Sequence, residues 1–286
     1  VRYGDAYREF LESKAPAVMS RGHDTGDGEL NPALYPHQRD IARWAIRGGN
    51  RAVFSAFGTG KTLIQLQILT SVLDRHGGLG LIICPLGVKG EFVREARQFF
   101  DREIPYCRTS ADALSLREAG HRLLITNYER VRDGGLDPNL FSVVSLDEAS
   151  VLRSFGSKTY QTFLSLFEDV PYKYVCTATP SPNRYKELIH YAGFLGVMDT
   201  GQALTRFFKR DSSQAGNLTL HPHKEREFWL WVSTWATFLN KPSDLGYSDE
   251  GYDLPELRLH RHRLEVDHTT AGFDSWGQGK MLRDAS

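Results

Sequence analysis

Short apolar runs alternate with longer amphipathic stretches along the first two thirds of the chain. Val53–Phe54, Leu79–Cys84, Arg122–Thr126, Phe141–Leu146 and Lys173–Thr177 read as buried strands, apolar at successive positions rather than at every second one. Between them lie segments with helical spacing. His37–Ile46 carries Ile41, Trp44 and Ala45 on one side, Leu63–Arg75 is periodic, and Val88–Phe100 offers Phe92, Ala96, Phe99 and Phe100 to a core. Ala111–Ala119 and Thr159–Phe167 complete the helical set, and Ile104–Cys107 is a candidate short strand. Gly48-Gly49-Asn50, Gly77-Gly78 and Asp137-Pro138-Asn139 punctuate them. Strands and helices alternating in this rhythm predict an α/β fold with right-handed crossovers and a largely parallel central sheet. Such a sheet presents its ligand site at the C-terminal ends of its strands.

The pattern changes after Gly196. Thr205–Arg210 reads as a basic-aromatic patch and Ser212–Asn217 as a loop. Glu225–Leu239 reads as one helix carrying Phe228, Trp229, Trp231, Val232, Trp235 and Phe238, apolar around much of its circumference. Lys241–Pro255 is loop-like, and Leu257–Val266 alternates as an edge strand does. At the other end, Tyr7–Leu11 is a candidate helix start and Gly22–Gly28 reads as a polar, glycine-rich linker.

Composition narrows the function. Basic and acidic residues balance at 35 each, so nucleic-acid binding has to come from a local patch and not from net charge. Cys84, Cys107 and Cys176 are widely spaced and lack a metal-ligand pattern, and Cys84 and Cys176, in apolar runs, read as small core residues in a reducing, cytoplasmic setting. His260-x-His262 lacks a close third ligand and reads as structural or solvent-facing. No apolar stretch reaches membrane-spanning length, and the first residues do not read as a signal peptide. The chain opens on valine, as a fragment does.

The candidate chemistry starts at Ala52–Thr62, AVFSAFGTGKT. An apolar strand, a glycine-containing turn and a periodic helix follow one another, which is the order a phosphate-binding loop requires. Gly58 and Gly60 let backbone N–H groups turn inward around Thr59, and the helix start offers its positive end to an anion. Lys61 can place a charge on the β- and γ-phosphates and Thr62 a hydroxyl on Mg²⁺. Ser55 stands where the full motif has its first glycine. Further on, Asp147 and Glu148 follow the Phe141–Leu146 run. Asp147 is placed to hold Mg²⁺ through water, and Glu148 to orient or deprotonate an attacking water. Together these groups describe a nucleoside triphosphatase. Gln38, upstream of the loop, has the donor and acceptor needed to read an adenine edge.

In order and spacing, residues Leu34–Tyr191 resemble the first RecA-like domain of a superfamily 2 helicase or translocase. The likeness is nearer the Swi/Snf branch than the RNA-specific DEAD-box branch, with a looser likeness to compact phage and prophage helicases. Leu34–Arg39 resembles the family's glutamine motif with Gln38 as the glutamine, Ala56–Thr62 its motif I, and Leu81–Leu86 its motif Ia. Ile125–Glu129 resembles a threonine-tyrosine-glutamate motif near the DNA-tracking face, Leu146–Ser150 motif II, and Thr177–Pro180 motif III. Ser150 departs from the usual histidine or aspartate of motif II. The resemblance implies an ATP- and Mg²⁺-dependent motor on DNA, duplex rather than RNA. It implies coupling through Ser150, Thr177 and Thr179, and nucleic-acid contacts from Lys89, Asn127, Tyr128, Arg153 and Lys158. It also implies residues 1–31 as an N-terminal extension, 32–196 as the ATP-binding domain, and 197–271 as a helical bridge toward a second RecA-like domain outside this chain. Residues 272–286 would be a polar tail or truncation. A nuclease or methyltransferase partner, a bacterial or phage-infected cell, and slow turnover by this half-motor alone fit the same resemblance. A stand-alone phosphate-loop kinase or small NTPase, and a nucleotide-gated nucleic-acid-binding fragment with little turnover, are the alternatives.

Overall fold

Six strands form one sheet: β1 (Asn50–Ser55), β2 (Gly80–Ile83), β3 (Leu123–Thr126), β4 (Val143–Leu146), β5 (Tyr172–Thr177) and, after a short two-stranded hairpin, β8 (Ala236–Leu239). Their spatial order is β3-β2-β4-β5-β1-β8, and every pairing is parallel. These features come from a computed structural model that describes residues 20–153, 158–181, 184–210, 218–252 and 259–260. The crossovers are helical: α1 (Pro36–Gly48) precedes β1, α2 (Lys61–His76) joins β1 to β2, and α3 (Lys89–Phe100) and α4 (Ser110–Glu118) lead to β3. The chain continues through α5 (Tyr128–Arg132), α6 (Lys158–Leu166), α7 (Leu188–Phe194), α8 (Thr200–Phe207) and α9 (Glu225–Ser233). The parallel α/β sheet is what the strand and helix rhythm predicts, and the architecture is that of a RecA-like P-loop NTPase fold, as the resemblance implies.

The strands are apolar at successive positions because both faces of the sheet are covered. Ala52, Phe54, Leu81, Ile83, Leu124, Val144, Leu146 and Val175 enter one core, with the aromatic side chains of α6 to α9. Val53, Ile82, Ile125, Val143, Tyr174 and Cys176 enter the other, against α1, α2 and α3. Burial pushes the thiols of Cys84 and Cys107 up to about 12 and raises that of Cys176 well above its ordinary value, so all three behave as core residues.

Four readings are corrected. The Glu225–Leu239 stretch is not one helix: α9 stops at Ser233, and Ala236–Leu239 pairs with Ala52–Ser55 as strand β8. The hydroxyls of Ser233 and Thr234 bond back to the carbonyls of Leu230 and Trp231, and the β-branched and aromatic residues beyond them suit a pleated strand. In Thr205–Arg210, Phe207 and Phe208 are buried rather than displayed, straddling the junction of α8 with the hairpin strand β6 (Phe208–Arg210), which pairs antiparallel with β7 (Leu218–Leu220). Gly22 is a packing residue, not a linker: its N–H donates to the Arg47 carbonyl at 3.2 Å, and a Cβ there would lie 1.7 Å from the Ile46 carbonyl oxygen. Ile104–Cys107 amounts to a single bridge, Tyr106 with Ile125.

The described residues up to Tyr252 belong to one compact unit. Of the second, residues 253–286, Leu259 and His260 are described, both exposed. Tyr7–Leu11, Ser212–Asn217 and His262 lie outside the described residues. Among the described residues no helix is long and apolar enough to cross a membrane, and no three metal-binding side chains cluster.

Candidate nucleotide site

Parallel pairing sets β1, β5 and β4 side by side, so the loop after β1 and the acidic pair after β4 emerge at the same end of the sheet, flanking Thr177 at the end of β5. Ser55 closes β1 with strand geometry and needs no glycine there. Its hydroxyl meets that of Thr59, which donates to the Ala56 carbonyl at 2.7 Å and fastens the base of the loop. The turn itself depends on Gly58 and Gly60, with φ of 80° and 84°. At Gly60 a Cβ would stand 2.1 Å from the Gln38 amide nitrogen, so a larger residue would also displace the Gln38 side chain from the loop.

Lys61 is the first residue of α2, and its ammonium donates to the carbonyls of Ser55 (2.9 Å) and Ala56 (3.0 Å). It also lies 5.0 Å from the ring of Phe57, which is 71% exposed on the loop. Thr62 follows in the first helical turn. Asp147 is 5% exposed, and burial, reinforced by the charge of Glu148, pushes its carboxyl up to about 6. The Gln65 amide bond and the charge of Lys61 oppose that rise. Glu148 holds φ at +47°, a left-handed conformation that in a non-glycine residue stores strain. Its carboxylate accepts from the Thr177 hydroxyl at 3.3 Å, and that hydroxyl accepts from the Thr179 N–H at 3.2 Å. Ser150 donates its N–H to the Glu148 carbonyl at 2.7 Å, which braces the same bend.

The donor set fits a nucleoside triphosphate with Mg²⁺. A two-glycine turn opens a sixteen-residue helix, a lysine sits in the turn, and a hydroxyl and a carboxylate supply hard oxygen donors. Gln38 touches the loop directly: its amide donates to the Thr59 carbonyl at 3.0 Å and accepts from the Tyr35 N–H at 3.0 Å. One N–H and one lone pair of that amide remain.

The residues expected to meet nucleic acid divide. Lys89 lies 4.8 Å from the ring of Tyr106, whose hydroxyl donates to the Asn127 side chain at 2.7 Å, so Lys89 and Asn127 are joined through a tyrosine that the sequence reading passed over. Tyr128 is corrected: it is 7% exposed, its ring lies tilted against Phe163, and its hydroxyl donates to the Asp147 carbonyl, so it faces the core and the site rather than the surface. Asn127 is also largely covered, with its amide turned to Glu129. The side chains of Arg153 and Lys158 lie outside the described residues. Two further residues were missed. Gln65 and Ser145 are fully enclosed next to Asp147. Their signal was spacing: Gln65 follows Lys61 by four on a helix, and Ser145 precedes Asp147 by two on a strand, so each shares a face with a named residue.

No protein-family model matches the chain, and no curated protein matches it. Solved structures do. The SWI2/SNF2 ATPase core of Sulfolobus solfataricus in complex with dsDNA superposes with a TM-score of 0.60 at 18% identity, over 77% of this chain and 47% of that one. The same organism's SWI2/SNF2 ATPase core domain superposes with a TM-score of 0.58 at 17% identity, over 78% and 48%. The likeness is one of fold, and the chain spans just under half the length of either core.

Proposed function

We propose that this chain binds ATP with Mg²⁺ and forms the first RecA-like half of a superfamily 2 motor that tracks on DNA. The observation that carries the reading is the hydrogen bond from Gln65 on the phosphate-loop helix to the Asp147 carboxylate, 2.8 Å, which joins loop and acidic pair into one site. In this reading Gly58, Thr59, Gly60 and Lys61 wrap the phosphates, and Lys61 exchanges its two loop carbonyls for phosphate oxygens. Thr62 and Asp147 hold the metal, Asp147 through water. Mg²⁺, when bound, neutralises phosphate charge. Glu148 orients or deprotonates the attacking water, and Thr177, Thr179 and Ser150 fix its carboxylate and backbone so that a shift at the strand end reaches it. Gln38 reads the adenine with the capacity it does not spend on the loop.

Duplex DNA enters as a partner because the Sulfolobus core of the same fold was solved with dsDNA. Lys89, partly exposed beside Tyr106, is the candidate phosphate contact, and a near-neutral chain predicts modest affinity that weakens with added salt. A second RecA-like domain would supply charge over the γ-phosphate, so this half turns over slowly and responds little to DNA. Calorimetric titration of ATP with Mg²⁺ into the wild-type chain and Lys61→Ala tests the core of the reading. Binding should be lost or weakened at least about tenfold in K61A, since a charge-assisted contact disappears; equal affinities would falsify the assignment. In a two-domain parent, Glu148→Gln should keep nucleotide affinity and suppress phosphate release.

A further inference from the structure

Asp147 is enclosed on its inner side by a buried polar relay that the phosphate-loop chemistry does not itself require. The Ser145 hydroxyl donates to Gln65 Oε1 at 2.7 Å, and Gln65 Nε2 donates to Asp147 Oδ1 at 2.8 Å. Gln65 is completely buried in α2 and Ser145 nearly so in β4. Elsewhere α2 buries Ile64, Leu66, Ile68, Leu69, Val72 and Leu73, with Gln67 and Ser71 bonded to each other at 2.8 Å. An amide in that company loses its solvation and is stable only if both ends are bonded, which is the case.

We propose that Gln65 is a positioning residue for Asp147, locked in one orientation by Ser145, so that Asp147 Oδ2 is the oxygen kept for the metal. The proposal rests on the nucleotide reading above. Its logic is donor and acceptor counting. The Asp147 carboxylate only accepts, so Gln65 must turn its NH₂ toward Asp147 and its carbonyl oxygen toward Ser145, and the serine hydroxyl is the donor that makes this turn unique. With Oδ1 tied at 2.8 Å, rotation of the carboxylate about its own axis is restrained. The carbonyl of the same residue is held by Tyr128 at 2.6 Å, and its N–H donates to Ile83 at 2.8 Å, so main chain and side chain are fixed separately. A lysine or arginine in place of Gln65 would orient Asp147 equally well but would cancel its charge and repel a cation. A neutral amide orients it and leaves the charge available. The relay also ties the helix that begins with Lys61 to the residue that follows β4, so phosphate and metal groups keep a fixed separation.

The test separates this role from the nucleotide reading by using Mg²⁺ as the variable. Binding of ATP to the 286-residue chain is measured by calorimetry with Mg²⁺ and again in EDTA, for wild type, Gln65→Met, Ser145→Ala and Lys61→Ala. Methionine keeps the length and helix preference of Gln65 without its amide, and S145A leaves the amide in place but unlocked. Expected for Q65M is unchanged ATP affinity in EDTA and a loss of about tenfold or more in the Mg²⁺-dependent gain, the size usual for removing an outer-shell partner of a metal ligand. S145A should lose a smaller share of the same gain, with little change in melting temperature. Retention of the full Mg²⁺-dependent gain by both variants would overturn the positioning role while K61A still upheld ATP binding. Equal losses with and without Mg²⁺ would overturn it too, since they report damage to the loop. If K61A binds ATP as well as wild type, the nucleotide reading fails, and the role of Gln65 fails with it.

Discussion

The Tyr128 hydroxyl donates to the Asp147 carbonyl oxygen at 2.6 Å, linking the segment after β3 to the peptide between the two acidic residues. That peptide leads into Glu148, whose φ of +47° has to be held from outside. Tyr128→Phe removes one buried hydrogen bond while keeping the ring against Phe163. The expected cost is about 1 kcal/mol of stability. Phosphate release should fall further than that cost alone explains, because the bend at Glu148 loosens. Thermal unfolding beside a phosphate-release assay checks this, and a stability loss with undiminished turnover would confine Tyr128 to packing.

Thr177 addresses the same carboxylate from β5. Its hydroxyl both donates to Glu148 at 3.3 Å and accepts from the Thr179 N–H at 3.2 Å. Thr177→Val keeps the shape of a fully buried side chain and deletes both bonds. We expect nucleotide affinity within a factor of about two of wild type and turnover lowered by about tenfold, as when an aligned catalytic group loses its anchor. Thr177→Ser, which retains the hydroxyl, should recover most of the activity.

Burial holds the Asp147 carboxyl at about 6 against 3.8 in an exposed chain, so the folded state binds its proton more tightly than the unfolded state. Below the lower value both states are protonated and the group costs nothing. As pH rises through the window to the upper value, the folded protein comes to bury a charge, and stability falls. Asp147→Asn, which can still accept from Gln65, removes that penalty. The substitution should stabilise the metal-free protein by an amount on the order of 3 kcal/mol or less above the window, and by nothing below it. Chemical denaturation in EDTA at several pH values measures the difference. A gain that does not depend on pH would show that the charge on Asp147 is not its source.

The parallel sheet was legible because strands buried on both faces need apolar residues at nearly every position, which sets Leu79–Cys84 and Phe141–Leu146 apart from any surface segment. The phosphate loop was legible because its glycines and lysine are contiguous. Strand β8 was not, since Trp231, Val232, Trp235 and Phe238 also satisfy a helical count, and only pairing with β1 decides between the two. Tyr128 was misassigned for a related reason. Its place in a motif suggested a surface, whereas Tyr128 and Val131 share one face of α5 and turn inward together. Gln65 and Ser145 were visible only as pairs, each polar on a face shared with a named residue, and their meeting depends on how α2 crosses β4.

Gln38 carries the last prediction. Its amide braces the phosphate loop through Thr59 and the start of α1 through Tyr35, each at 3.0 Å, and keeps one N–H and one lone pair. Those two remaining valences match an adenine edge, which presents an N6 amino donor beside an N7 acceptor. A guanine offers O6 where adenine has the amino group, so the lone pair of Gln38 would face an acceptor. Gln38→Ala should therefore weaken ATP binding more than GTP binding, about tenfold against about threefold, with the smaller figure reporting the lost brace on the loop. Titration of both nucleotides into wild type and Q38A reads the two numbers directly. An equal loss for ATP and GTP would limit Gln38 to bracing the loop and leave recognition of the base to other residues.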